Sequence, residues 1–97
     1  MGKRWGKPDR NAHESASALR HAGASVRFIE GAHGQGGVPD LLVGFNGVTY
    51  LMEIKMSKGK LSTGQLEFMA SWRGGSALVV RSPLEALGAI GLFEVAA

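Results

Sequence analysis

The chain has 97 residues, 44% hydrophobic and 20% charged, a balance that fits one soluble globular domain and excludes a disordered or membrane-embedded chain. No apolar run approaches the roughly 18 residues of a spanning helix, and the opening MGKRWGKPDR has no apolar segment behind its charges, so a cytoplasmic protein is expected. The absence of cysteine excludes disulfides, thiolate nucleophiles and zinc–thiolate sites, and eleven Lys and Arg against eight acids, with pI near 9.7, favour a polyanionic partner.

In chain order, residues 1–10 read as a flexible basic arm whose Lys3, Arg4, Lys7 and Arg10 are candidate phosphate contacts, with a solvated terminus as the alternative, followed by a single domain over 11–97. A first helix is expected from about Asn11 to Ala22, with Ala12, Ala16 and Leu19 on one face and Gly23 ending it. Ser25 to Glu30 reads as a strand. The segment GAHGQGG after it, residues 31–37, implies a loop with close backbone approaches, and it lacks both the Walker pattern and a GxGxxG opening a helix.

Residues 40–45 and 48–56 are apolar runs separated by Asn46-Gly47, the strongest short-range signal for a type I′ hairpin. Ser62-x-x-Gln65 fits a capping box, with Leu61 and Leu66 as its hydrophobic staple, and starts a second helix running to about Trp72. Ala77 to Val80 reads as a further strand, and Ser82-Pro83-Leu84-Glu85 repeats the capping-box logic ahead of a short third helix ending near Gly88 to Gly91. The sum is an α/β fold: a mixed central sheet built around the hairpin and flanked by helices, one of which packs on it.

With Asn46 and Gly47 as the loop, paired residue numbers sum to 93, which sets Asp40 opposite Glu53. Opposed side chains have Cβ atoms roughly 4.5–5.5 Å apart, where two like charges are destabilising unless a cation lies between them. Oxygen ligands without a Cys or a His pair suit magnesium. Lys55 lies two residues beyond Glu53 and projects from the same strand face, and the carbonyl of Ile54 is a further oxygen. Metal, carboxylates and lysine are the parts that phosphodiester hydrolysis needs. The plainer alternative is a surface salt bridge at the hairpin end, worth little.

Pro39-Asp40 followed by Glu53-x-Lys55 resembles the signature of the PD-(D/E)XK nuclease superfamily. Glu14 on a preceding helix, Gly37-Val38-Pro39-Asp40-Leu41, Glu53-Ile54-Lys55 and Gln65 opening the next helix resemble the VRR-NUC family, over about residues 11 to 80. The resemblance implies a restriction-endonuclease-like core in a minimal stand-alone member from a bacterial or phage-infected cell. It implies that Glu14, Asp40, Glu53 and the Ile54 carbonyl bind Mg2+, with Mn2+ able to substitute, and that Asp40, Glu53, Lys55 and Gln65 are catalytic. Gln65 has a competing role, because a side chain turned to the Ser62 amide is not expected to face the site as well.

Lys58 and Lys60 are expected on DNA phosphates, with a solvated charged loop as the alternative. His13, His21 and His33 have no ligand pairing in sequence, and Trp72 reads as packing beside a core stripe rather than as a stacking platform. The reaction implied is hydrolysis of DNA, with a structure-selective homodimer acting on four-way junctions, as a Holliday-junction resolvase does, as the leading form. The alternative is a basic DNA-binding module that keeps the fold without the chemistry, separable because its binding would be salt-sensitive and metal-independent.

Overall fold

The computed structural model describes residues 10–29 and 37–92. The expected basic arm up to its last residue, Lys7 included, and the glycine segment up to residue 36, with His33, lie outside these residues.

Helix α1 spans Arg10–His21, so Arg10 is its first residue rather than the last of an arm. Ala12, Ala16 and Leu19, spaced by four and three, are 2%, 0% and 0% exposed and form its inner face. Gly23, at φ 101°, takes the left-handed conformation that ends the helix. Strand β1 (Ser25–Phe28) follows, then β2 (Leu41–Phe45) and β3 (Val48–Ile54), joined by Asn46 at φ 55° and Gly47 at φ 80°. Positive φ at both loop residues is the signature of a type I′ turn, whose twist matches the strands it joins.

The observed pairs, Phe45 with Val48 through Leu41 with Met52, keep the register that the turn dictates. Helix α2 (Thr63–Ser71) connects β3 to β4 (Ser76–Val80), which pairs with β3 in parallel, and α3 (Pro83–Ala89) ends the described fold. The sheet is mixed, in the order β1-β2-β3-β4, with the first three strands antiparallel.

One face of the sheet carries the core: Val26, Leu41, Val43, Met52, Ile54 and Val80 pack with the α1 alanines, Leu19 and Ala86 of α3. Small residues on the helices let them lie close, and each wholly buried Leu or Val contributes about 1.5–3 kcal/mol. Leu42, alternating with Leu41 and Val43, remains 42% exposed on the opposite face.

Two expectations need correction. Helix α2 has no buried residue, and Leu66 is 55% exposed. Trp72, at the C-cap, is 44% exposed and packs within its own helix end, stacked on Phe68 at 5.1 Å with its indole N–H donating to the Gly75 carbonyl. No core stripe exists there because the core formed on the other face of the sheet. The second capping box is half formed. Ser82 Oγ accepts from the Glu85 amide, but the Glu85 carboxylate turns to the Arg81 N–H at 2.8 Å instead of closing on Ser82.

Candidate active site

Strand β3 ends in three consecutive buried residues, Met52, Glu53 and Ile54. A strand with one covered face alternates, so an unbroken run marks where both faces are covered. Met52 and Ile54 enter the core. Glu53, 2% exposed, points the other way and meets the N-terminal turn of α2, where Gln65 Nε2 donates to its Oε2 at 3.1 Å.

Gln65 also accepts the Ser62 N–H on Oε1 at 2.8 Å, while its own N–H donates to Ser62 Oγ at 3.1 Å. The two roles expected to compete therefore coexist. An amide has an acceptor and a donor group on opposite corners of one plane. The oxygen closes the capping box and the nitrogen holds the buried carboxylate, which ties the start of α2 to Glu53.

The β2–β3 ladder stops at Leu41–Met52, one rung before Asp40. Toward β1 the ladder continues, the Asp40 carbonyl accepting from the Ile29 N–H at 2.8 Å. Toward β3 a side chain replaces the main chain: Asp40 Oδ2 accepts from the Ile54 N–H at 2.9 Å. Continued register would give that N–H, and the Ile54 carbonyl, to residue 39. Residue 39 is proline, which has no N–H to offer the carbonyl. The Lys55 N–H donates to Val80 on β4, so by strand alternation the Ile54 carbonyl points toward the Asp40 side. Proline thus breaks the ladder at the point where Asp40 and the Ile54 carbonyl project together. On the next rung the register sets Glu53 beside Asp40.

The approach to Asp40 requires glycine. Gly37 has φ 95°, and a Cβ there would overlap the backbone of Gly64 and Gln65. The segment before Asp40 therefore crosses directly against the first turn of α2, locking the two sides of the site at one backbone contact.

Lys55 follows Ile54 and is half-buried, its stem passing Gly59 with Cδ 3.6 Å from where a Cβ would stand. Lys58 and Lys60 are exposed on the succeeding turn. Glu14 stands elsewhere in the described contacts: its carboxylate is 3.7 Å from Arg10 Nε on the same helix, and both line a groove of about 440 Å³ with Asn11, Met56, Ser57 and Arg81. Arg10 is 89% exposed. Among the described residues no group of three or more His, Cys, Asp or Glu is placed to hold a metal, so Glu14 is not gathered with Asp40 and Glu53. His13 packs its ring 5.0 Å from Phe28.

Two residues that the sequence reading passed over join this region. Asn11 donates to the Lys55 carbonyl at 2.9 Å, and Arg81 donates to the carbonyls of Met56 and Gly59. An asparagine within the first turn of a helix, past the capping position, was the available signal for the first. Nothing in sequence distinguished Arg81.

Neither the sequence profiles of known protein families nor the sequences of curated proteins match the chain. Its fold does match a solved structure described as a "VRR_NUC domain", with a TM-score of 0.70 and 27% identity, over 87% of this chain and 94% of that one. Among the described residues no helix is long and apolar enough to cross a membrane.

Proposed function

The chain belongs to the VRR-NUC family, a nuclease-family domain, and on that premise we propose that it is a Mg2+-dependent endonuclease that hydrolyses DNA phosphodiesters. The observation that carries the proposal is the broken rung at Pro39, which leaves the Asp40 carboxylate and the Ile54 carbonyl on one edge, beside the buried Glu53 carboxylate. Two carboxylates and a carbonyl form an all-oxygen donor set, which fits a hard cation that keeps several waters. A carboxylate as buried as Glu53 is costly when ionised unless charge and hydrogen bonds meet it. Gln65 supplies a hydrogen bond, and a bound cation would add opposite charge.

When bound, the cation would supply charge neutralisation at the phosphate and a more acidic water. The protein's part is positional. Asp40 and Glu53 hold the cation, Gln65 holds Glu53, and Lys55 orients the attacking water and stabilises negative charge on the phosphate as it is attacked. Glu14, paired with Arg10 on the helix, acts through water rather than as a direct ligand. Lys58, Lys60 and Arg10 meet backbone phosphates, a role proposed for Lys7 as well.

The test incubates labelled four-way junction, flap, linear duplex and single-stranded DNA with the protein and magnesium, manganese or chelator. Cutting that needs the metal and falls about a hundredfold in Lys55→Ala is expected, with the four-way junction preferred. Salt-sensitive binding with no cutting in either metal would instead establish the non-catalytic binding module.

Homodimerisation, which places two sites on one branched substrate, is proposed with it. Apolar surface on the open sheet face supports this: Leu42 is 42% exposed and lines, with Ser25, Arg27 and Thr49, a shallow pocket of about 200 Å³. Leu42→Lys is expected to shift the protein to monomer in sedimentation equilibrium while leaving its fold intact. A dimer unaffected by Leu42→Lys would move the interface elsewhere.

A further inference from the structure

Lys55 stands where the sheet gives out. Strand β3 ends at Ile54, and the ladder on the β2 side has already stopped at Leu41–Met52. From the sheet, Lys55 keeps the hydrogen bond of its N–H to Val80 at 2.9 Å. A lysine has about 2 kcal/mol of rotamer entropy, so a loosely held backbone would spread its ammonium over many positions.

Two side chains from outside the strand close on this segment. Asn11 Nδ2 donates to the Lys55 carbonyl at 2.9 Å and to the Arg81 carbonyl at 3.2 Å. Both partners are acceptors, so the amide nitrogen, with its two protons, is the only end of the side chain that fits. Arg81 Nη1 donates to the carbonyls of Met56 at 2.8 Å and Gly59 at 2.6 Å, spanning the turn that also closes through the Gly59 N–H on Met56. The Arg81 amide is itself held by the Glu85 carboxylate at 2.8 Å. Helix α1, the end of β4 and the start of α3 thereby converge on the backbone of residues 55–59.

We infer that Asn11 and Arg81 are positioning residues for hydrolysis: a clamp that fixes the backbone of Lys55 and the turn after it, so that the lysine meets the scissile phosphate in one orientation. The inference rests on the proposed role of Lys55. Neither residue touches substrate. Their contribution is geometric, and misplacement of a catalytic group by about 1 Å is worth up to about a hundredfold in rate.

The test measures kcat and KM on the preferred DNA, thermal midpoints, and amide exchange of Lys55, Met56 and Ser57 in the full chain. Asn11→Asp keeps the shape and replaces both donors by lone pairs, Arg81→Met keeps an unbranched apolar stem and removes the fork, and Arg81→Lys restores donors. Ser57→Ala, on the same turn, is the control. The expected result is a fall in kcat of roughly ten- to a hundredfold for Asn11→Asp and Arg81→Met with KM within about twofold. Arg81→Lys recovers part of the rate, the control matches wild type, and exchange at residues 55–57 quickens in Arg81→Met.

If Asn11→Asp fails to fold, Asn11→Ala takes its place. Wild-type kcat in the variants, losses confined to KM, or losses that track only the fraction folded would overturn the clamp. Wild-type protein that does not cut DNA fails the nuclease reading instead. The exchange data then decide the clamp alone, quickened exchange supporting it and unchanged exchange overturning it.

Discussion

Glu53→Gln is expected to abolish cleavage, with a loss of roughly a thousandfold or more, while leaving the protein folded. The substitution is nearly isosteric: it removes the charge and turns one acceptor oxygen into an amide donor, leaving the other oxygen to accept from Gln65. Glu53 is 2% exposed and accepts from Gln65, so a neutral amide at this position needs less compensation than a carboxylate does. The melting temperatures of variant and wild type without divalent cation give the baseline for each. Magnesium should separate them: ligand that binds only the folded state at a hundred times its dissociation constant stabilises by about 2.7 kcal/mol. Wild type should show a metal-dependent rise in melting temperature, and Glu53→Gln little or none.

Asp40→Asn is the companion. It keeps an oxygen for the Ile54 N–H at the position now 2.9 Å away and removes the charge and the second acceptor oxygen, so its loss of metal response separates the carboxylate's part in holding the cation from its hydrogen bond to the strand. Equal cleavage by both variants and wild type, with equal metal-induced shifts, would remove the carboxylates from the mechanism.

Gly37→Ala should damage stability and activity together. Its φ of 95° strains any residue with a Cβ, and that Cβ would overlap the Gly64 and Gln65 backbone. Backbone strain of about 1–3 kcal/mol and overpacking of similar size give a destabilisation of about 2–6 kcal/mol. Relief comes by pushing α2 away, which draws Gln65 off Glu53, so residual folded protein should cut at least about tenfold more slowly than wild type. Gly47→Ala provides the comparison, because Gly47 has φ 80° and open space where a Cβ would go. It should pay the conformational strain and keep its rate. Identical effects from the two substitutions would mean that the crossing of the Asp40 segment over α2 has no bearing on the site.

Local chemistry made much of this protein legible in one dimension. Asn46-Gly47 dictates a two-residue turn because positive φ at two successive positions is cheap only for such residues, and that turn fixes the pairing of every residue from Leu41 to Met52. The alanine spacing of α1 named its buried face, and Ser62 with Gln65 named the start of α2. Each of these signals involves residues within a few positions of one another.

What the sequence could not carry depends on which distant segments meet. The capping role of Gln65 looked exclusive because sequence shows one neighbour at a time. Only with Glu53 folded beneath α2 does the amide's other corner find a partner. The contacts of Glu14, with Arg10 on its own helix and along a groove shared with Met56 and Arg81, likewise depend on segments that only the fold brings beside it. Asn11 and Arg81 lie 70 positions apart, and their convergence on the Lys55 turn arises from the packing of α1 and α3 behind the sheet. Sequence by itself determined the turn, the register and the residue types at the hairpin end. The tertiary structure decided which of them are held, and by what, because hydrogen bonds between remote segments form only after the core has brought those segments together.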